Sequence, residues 1–164
     1  IIDTASANKA EEFMDHLRQA LGSLPVVPLS CHSDAAEIMT RWVQHQPLAG
    51  FELDSECELR NPRASANIIR CKNQELESDE VLGHIKAGKR VIQLAISWQQ
   101  ALRFILTEDF AIKRLRFEDI VQDQAASEED DFAAQFDQDF AIMSLQLSQF
   151  LDELLQAFGG IGKA

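Results

Sequence analysis

Positively charged side chains recur at alternate positions in the middle of this 164-residue sequence. Arg70 and Lys72 are two residues apart, as are Arg114 and Arg116, and Arg103 lies between apolar neighbours. Side chains at every second position of a strand point to the same face of a sheet. Guanidinium and ammonium groups are donors that proteins use to hold phosphate oxygens. The pattern therefore predicts a surface for anion binding rather than a centre of covalent chemistry.

Four runs of the sequence alternate in this way, and each has one apolar face and one mainly polar face. They are residues 68–72, 91–98, 101–107 and 112–117, and none of them contains an acidic residue. If they form one antiparallel sheet with the apolar face on the core, the opposite face is a basic plate. This plate would carry Arg70, Lys72, Gln93, Ser97, Arg103, Arg114 and Arg116, with Lys113 as an exception on the apolar side.

The distribution of charge matters more than its sum. The formal net charge is −12, yet residues 60–116 hold 11 Lys and Arg against six Asp and Glu. Exposed charges separated by more than a Debye length of about 8 Å are largely screened at physiological salt. A local basic plate can therefore attract a polyanion although the whole chain is negative.

The composition is that of a folded protein, with 46% hydrophobic residues, four Pro and seven Gly. The pattern predicts the α+β class: an antiparallel sheet with one face packed by helices, followed by a long C-terminal amphipathic helical segment. Residues 1–117 are predicted to form a central α+β domain. Residues 118–164 are predicted to form a C-terminal helical region, either separate from that domain or continuous with it. No run approaches 18 apolar residues, so no membrane span is expected.

Capping residues and apolar spacing predict the other elements. A strand is expected at residues 1–5. A helix is expected from Ser6 or Asn8 to Gly22, with Phe13, Leu17 and Leu21 on its apolar side, and an extended edge segment follows at 24–30.

Further along the chain, a second helix is expected at 35–45 and a strand with an acidic outer face at 50–60, followed by a turn at 61–65. A short helix is expected from Ser78 to Gly88 and an acidic connector at 118–131.

The C-terminal segment carries ten large apolar side chains at helical spacing, from Phe132 to Phe158. At about 1.5 to 3 kcal/mol each, their burial is worth up to roughly 15 to 30 kcal/mol. A helix with this many apolar side chains must pack against another surface, either the core of its own chain or a second subunit.

Catalytic and metal-binding patterns are weak. The four His share no ligand spacing and the three Cys form no CxxC pair, so no zinc site is predicted. Cys31, Cys57 and Cys71 are expected to be small buried thiols in a reducing cytosol. Asp137, Asp139 and the acidic run 128–131 could hold a hard cation, but favourable charge at a helix N-terminus explains the run equally. Neither a catalytic residue, a metal nor a cofactor is predicted.

Several motifs in this sequence resemble the RdgC family of bacterial recombination-associated proteins, in the same order along nearly the whole chain. They are residues 9–11, 21–30 (LGSLPVVPLS), Trp42 with Val43, Gln74 with Leu76, 87–89 (AGK), 94–100 (LAxxWQQ), 113–117 (KRLRF) and 131–139 (DFAAQFDQD).

The resemblance implies a non-catalytic, cytoplasmic, nucleoid-associated protein that binds double-stranded DNA with little sequence preference. It further implies a ring-shaped homodimer around the duplex, with a positively charged hole, that restrains the RecA recombinase. The chain is similar to the C-terminal half, or slightly more, of such proteins. Because it opens at Ile1 without Met, we expect a fragment.

A basic segment before the short helix contacts DNA in that family. Here it includes Arg70, Lys72 and Gln74, and Asn73 replaces the second of two adjacent lysines. Lys89 matches a family lysine, whereas Gln93 stands where some relatives carry a basic residue. The predicted DNA-binding residues are Arg70, Lys72, Gln74, Lys89, Arg90, Arg103, Arg114 and Arg116.

Other interpretations of the same residues are open. Arg and Lys could merely solvate a sheet face. The chain could instead be a protein–protein interaction module that uses its acidic helices and Phe-rich C-terminal stripe. A hydrolase with dispersed carboxylates is a third possibility.

Overall fold

The structure is a computed structural model that describes residues 2, 4, 6–27, 29–118 and 132–162. Ile1, Asp3 and Ala5 of the predicted first strand, and residues 119–131 of the predicted connector, lie outside these residues. The domain boundary at 117 therefore stays a prediction. In chain order the elements are α1 (Ala7–Leu21), α2 (Ala35–His45), β1 (Phe51–Asn61), β2 (Ala64–Lys72), α3 (Asp79–Lys86), β3 (Arg90–Trp98), β4 (Leu102–Thr107), β5 (Ile112–Phe117) and α4 (Phe132–Ala157).

The five strands form one antiparallel sheet in the order β2-β1-β3-β4-β5. β1 and β2 form a hairpin around Pro62 and Arg63. α3 follows β2, and the chain then returns as β3 on the opposite side of β1. β1 therefore lies between β2 and β3, with strand partners on both sides.

The inner face of the sheet is apolar and helices cover it, which confirms the predicted α+β arrangement. The residues that this face excludes completely from solvent are Leu59, Val91, Leu94, Ile96, Trp98, Leu102 and Leu106. α2 adds Met39, Trp42 and Val43 to the same core. Its Thr40 accepts a hydrogen bond from the backbone of Val91 at 2.9 Å, which ties the helix to β3.

The C-terminal half of α4 docks on this core through aromatic contacts. The Phe150 ring lies 4.8 Å from Phe104 and 5.6 Å from Trp98, centroid to centroid. Just beyond the helix, Phe158 packs 5.3 Å from Trp42. The Trp98 indole N–H donates to Glu153 at 2.7 Å, so its polar atom is satisfied at the edge of the core. The prediction that this helix docks on its own chain is confirmed for this half.

The N-terminal half of α4 does not share this environment. Phe132 is 81% exposed and Phe140 is 65% exposed. The large apolar side chains of this half that are exposed are Phe132, Phe136, Phe140, Met143 and Leu145. The ten-residue stripe is therefore only partly buried within the described chain, and the burial estimated from the sequence is too high.

Capping explains where the first two helices start and stop. The Ser6 hydroxyl accepts from the backbone N–H of Lys9, and Asp34 does the same for Glu37 at 3.0 Å. Gly22 ends α1 in the left-handed conformation (φ +77°), as predicted. However, no residue of α1 is buried, so its predicted apolar side lies outside the core.

Two boundaries differ from the sequence prediction. β2 begins at Ala64, four residues before the predicted run, because Asn61 already pairs with Ala64 across the hairpin. Backbone pairing extends the strand here without an alternating side-chain pattern. The segment 24–30, predicted as an edge strand, forms no strand in its described residues, and Pro25 has no N–H to donate to a ladder.

The three cysteines are free thiols, and two of them are buried as predicted. Cys57 and Cys71 are direct cross-strand partners of β1 and β2, whereas Cys31 is half-buried. Burial, with a further contribution from the neighbouring Cys71, raises the pKa of the Cys57 thiol well above its ordinary value. The thiolate is the reactive form, so the Cys57 thiol is a poor nucleophile at neutral pH.

Replacement of Phe150 by Ala tests the docking of α4. We expect Phe150→Ala to lower the free energy of unfolding by about 3 to 5 kcal/mol, because the ring is fully buried between two aromatic side chains. Phe13→Ala, at an exposed phenylalanine of α1, is the matched control and should change it by less than about 0.5 kcal/mol. Urea denaturation followed by circular dichroism measures both, and equal losses would contradict the described docking.

Candidate nucleic-acid interface

The cations predicted to share a sheet face do so. In the strand register Arg70 is opposite Glu58, which is opposite Gln93, and Ser97 is opposite Arg103, which is opposite Arg116. Directly opposed residues point to the same side. We call this side the outer face; its charged and polar members from β2 to β5 are Arg70, Lys72, Gln93, Ser97, Arg103, Lys113, Arg114 and Arg116.

A bulge in β5 explains the exception at Lys113. Between the pairs Arg103–Arg116 and Ile105–Lys113, β5 has one residue more than β4. Arg114 in this bulge has φ +52°, a left-handed conformation that non-glycine residues seldom adopt. The extra residue restores Lys113 to the outer face, although simple alternation predicted it on the apolar side.

The outer face is concave. One hollow on this face, of about 140 Å³, is lined by residues from all five strands, among them Glu56, Arg70, Gln93, Ile105 and Arg114. A second hollow of about 220 Å³ adjoins it and is lined by Asp54, Arg103 and Arg116 among others. The curvature brings side chains of the edge strand β5 within reach of β1.

The outer face is not the uniformly basic plate that the sequence predicted. β1 lies in its interior, and the register places Glu52 opposite Ser97, Glu56 opposite Lys72 and Glu58 opposite Arg70. Asp54 reaches the same surface. The alternating acids of β1 were visible in the sequence, but nothing local indicated that β1 would pair between two basic strands. The result is a face of nearly balanced charge.

Three of the arginines form ion pairs with these carboxylates. The Arg70 Nε lies 2.8 Å from Glu58 Oε2, and the Arg114 Nη1 lies 3.2 Å from Glu56 Oε2. The Arg103 Nε lies 3.0 Å from Glu118 Oε1 and 3.7 Å from the carboxylate of Asp54. These arginines are more than half exposed, and such pairs stabilise a fold by at most about 1 kcal/mol. Their main effect is to lower the positive electrostatic potential of the outer face.

Cations without such partners also lie on this face. Within the described ranges, neither Lys72 nor Arg116 has a carboxylate within 4.0 Å. Both side chains are exposed. They are therefore the outer-face cations most available to an external anion.

Two predicted site residues, Lys89 and Arg90, lie away from the outer face. Lys89 is only 9% exposed and its ammonium donates to the Asn67 side chain at 2.7 Å. Arg90 lies beside the start of α2, where it pairs with Asp34 at 3.3 Å and with Glu37 at 3.8 Å. The structure therefore does not bring these two together with the outer-face cations.

Gln74 lies beyond the end of β2, in a hollow of about 650 Å³. Four acidic residues share the lining of this hollow: Glu52, Asp54, Glu75 and Glu77. Its surroundings therefore repel an anion rather than attract one.

Two further features bear on chemistry. Throughout the described part of the chain, no three His, Cys, Asp or Glu side chains are grouped so as to hold a metal ion. Of the acidic residues proposed for a hard cation, those at 128–131 lie outside the described residues. No helix in the described ranges has both the length and the hydropathy needed to cross a bilayer.

The chain is thus an α+β protein whose curved sheet presents guanidinium and carboxylate groups on one face and an apolar core on the other. A family whose model is described as "Putative exonuclease, RdgC" matches residues 1–161. The chain belongs to the RdgC family, which confirms the resemblance seen in its motifs.

Curated relatives agree. Over 162 residues the chain is 44% identical to the recombination-associated protein RdgC of Pseudomonas paraeruginosa, covering 98% of the chain and 53% of that protein. The proteins of the same name from Psychromonas ingrahamii and Yersinia pestis are 44% and 43% identical, with 97% and 98% of the chain covered and 53% and 54% of those proteins. The chain therefore spans about half the length of the curated relatives that it matches.

The environment of Lys89 predicts a structural role for that residue. Lys89→Ala removes a buried aliphatic stem and the hydrogen bond to Asn67, so we expect a loss of about 1 to 2 kcal/mol in the free energy of unfolding. Lys72→Ala, on the exposed outer face, should change it by less than about 0.5 kcal/mol. Urea denaturation of both variants checks this, and an unchanged stability of Lys89→Ala would contradict the described burial.

Proposed function

We propose that the outer face binds the backbone of double-stranded DNA without reading bases and without cleaving it. The observation that carries the proposal is the convergence of six cations from three separate strands on one concave surface: Arg70, Lys72, Arg103, Lys113, Arg114 and Arg116. Arginine and lysine contacts to phosphate oxygens position a protein on a duplex but carry no sequence information. Such binding needs neither a metal nor a cofactor.

The negative charge of the chain does not oppose this proposal. Helices α1, α2 and α4 together hold eight acidic against three basic residues, and α2 and the C-terminal half of α4 pack on the inner side of the sheet. Beyond about 8 Å their field is largely screened at physiological salt. The ion pairs on the outer face use one nitrogen of each arginine, and the remaining N–H groups can still donate to phosphate.

The name of the curated relatives connects the proposed DNA binding to recombination. Those proteins are called recombination-associated. We infer that the intact protein acts at the bacterial nucleoid in the cytoplasm, and that by occupying duplex DNA it restrains the RecA recombinase. A ring-shaped homodimer around the duplex, as expected from the resemblance, is part of the same proposal.

Salt dependence tests the proposed contacts. If four to six phosphates are neutralised, log affinity should fall against log salt with a slope of about −3.6 to −5.4. Lys72→Ser and Arg116→Ser should each make that slope shallower by about 0.9, because each removes one cation that has no carboxylate of the described residues within 4.0 Å. Fluorescence anisotropy with duplexes of two unrelated sequences measures affinity, slope and sequence preference together.

The matched control for these variants is Arg41→Ser. Arg41 lies on α2, on the inner side of the sheet, where it pairs with Glu37 at 3.1 Å. The Arg41→Ser substitution also removes one positive charge, and it should leave the slope of log affinity against log salt unchanged. A slope near zero in the unmodified chain, or an equal effect of all three variants, would reject the outer face as the binding surface.

The family description as an exonuclease names a different activity. The curated relatives that the chain matches are named for recombination and not for cleavage. We therefore infer binding without cleavage. Release of labelled nucleotides from a duplex incubated with the chain and Mg²⁺ or Mn²⁺, and lost on replacement of an acidic residue, would overturn that inference.

A second proposal concerns assembly. We infer that the exposed apolar half of α4 is covered by a second copy of the chain in the intact protein. Monomeric proteins rarely expose contiguous apolar patches of this kind, and three phenylalanines lie within nine residues here. Phe136 and Phe140 stack with ring centroids 6.3 Å apart, so the two exposed rings are neighbours on the helix surface. The alternative of a module for an unrelated partner uses the same surface.

Sedimentation velocity tests this assembly. The double variant Phe136→Asp, Phe140→Asp places two charges on the patch and should shift a dimer to a monomer, with a dissociation constant raised at least 100-fold, about 2.7 kcal/mol. Gln138→Asp, an exposed polar position between them, is the matched control and should leave the dimer intact. A chain that sediments as a monomer at all concentrations would contradict the homodimer and favour the unrelated partner.

A further inference from the structure

We propose that the carboxylates of β1 weaken the grip of the outer face on a phosphate backbone without blocking it. Glu56 and Glu58 would then act as residues that set the affinity. The inference rests on the proposed function, because it concerns how the same face holds the same ligand.

The geometry of the ion pairs allows the carboxylates to weaken phosphate binding without blocking it. Each paired arginine uses a single nitrogen: Arg70 and Arg103 use Nε, and Arg114 uses Nη1. A guanidinium has five N–H donors, so both terminal nitrogens of Arg70 and Arg103 remain free to donate. A phosphate can therefore bind these arginines while each ion pair persists.

Relative exposure shows on which side the phosphate would approach. The Glu58 side chain is 15% exposed, whereas that of its partner Arg70 is 66% exposed. Glu56 is 31% exposed against 59% for Arg114. The carboxylates thus lie beneath the guanidinium groups that cover them, and a ligand from solvent meets the arginines first.

Electrostatics decides what the partly buried carboxylates do. A phosphate on the solvent side of Arg70 would lie roughly 6 to 7 Å from the Glu58 carboxylate, which is less than a Debye length. Its repulsion by that carboxylate is therefore only partly screened and subtracts from its attraction to the arginine. The outer face has six cations against the five carboxylates of Glu52, Asp54, Glu56, Glu58 and Glu118. A single anion therefore gains little binding free energy there. A polymer that offers several phosphates at once gains from each N–H contact and is held loosely enough to move.

Amide variants test this role while keeping the shape of the side chains. Glu56→Gln and Glu58→Gln should each tighten binding to a duplex about threefold, and the double variant about tenfold. The slope of log affinity against log salt should stay the same, because the number of neutralised phosphates does not change. Glu37→Gln, which removes the same charge from an ion pair on α2, is the matched control and should have no effect.

The other outcomes overturn the inference in distinguishable ways. A slope steeper by about 0.9 per variant means that the carboxylate had blocked a contact. Weaker binding means that it had oriented the arginine. Unchanged binding means that it has no role, and in these three cases the proposed function stands.

A chain that binds no duplex until both glutamates are replaced would mean that the carboxylates block the face, which overturns the inference while the proposed function stands. If neither the unmodified chain nor the double variant binds duplex at low salt, the proposed function fails and the inference with it. Thermal unfolding of every variant confirms that the fold is kept.

Discussion

The pairing of β1 between β2 and β3 is the constraint on which both faces of this protein depend. Backbone hydrogen bonds on both sides hold the strand in place, with Cys57 opposite Cys71 on one side and Leu94 on the other. Since side chains alternate, burial of Cys57 and Leu59 forces Glu56 and Glu58 outward. The core and the charge of the outer face are thus consequences of the same strand pairing.

The same constraint gives the outer face its character. Basic strands flank an acidic one, and sheet curvature lets Arg114 of the edge strand β5 reach Glu56 across β4 and β3. A uniformly basic surface would hold any polyanion tightly. A surface of alternating charge has a weak far field but keeps many N–H donors, so it favours a ligand that makes several contacts at close range.

α4 divides into a half that completes the core and a half that does not. Phe150 and Phe158 fill spaces between aromatic residues of the sheet and of α2, whereas Phe132 and Phe140 face solvent. One continuous apolar stripe in the sequence therefore serves two environments. Its spacing is the same in both halves, so the point of division could not be predicted from periodicity.

The sequence by itself determined the local elements. α2 and β5 have the predicted bounds and β3 and β4 nearly so, because caps and alternation act over a few residues. It also placed Arg70, Lys72, Arg103, Arg114 and Arg116 on one face, and the motifs indicated the family. Only the tertiary structure decided which strand lies beside which, and hence that carboxylates sit under those arginines while Lys89 is buried against Asn67. Strand order and burial arise from pairing and packing between residues far apart in the chain, so local sequence patterns do not predict them.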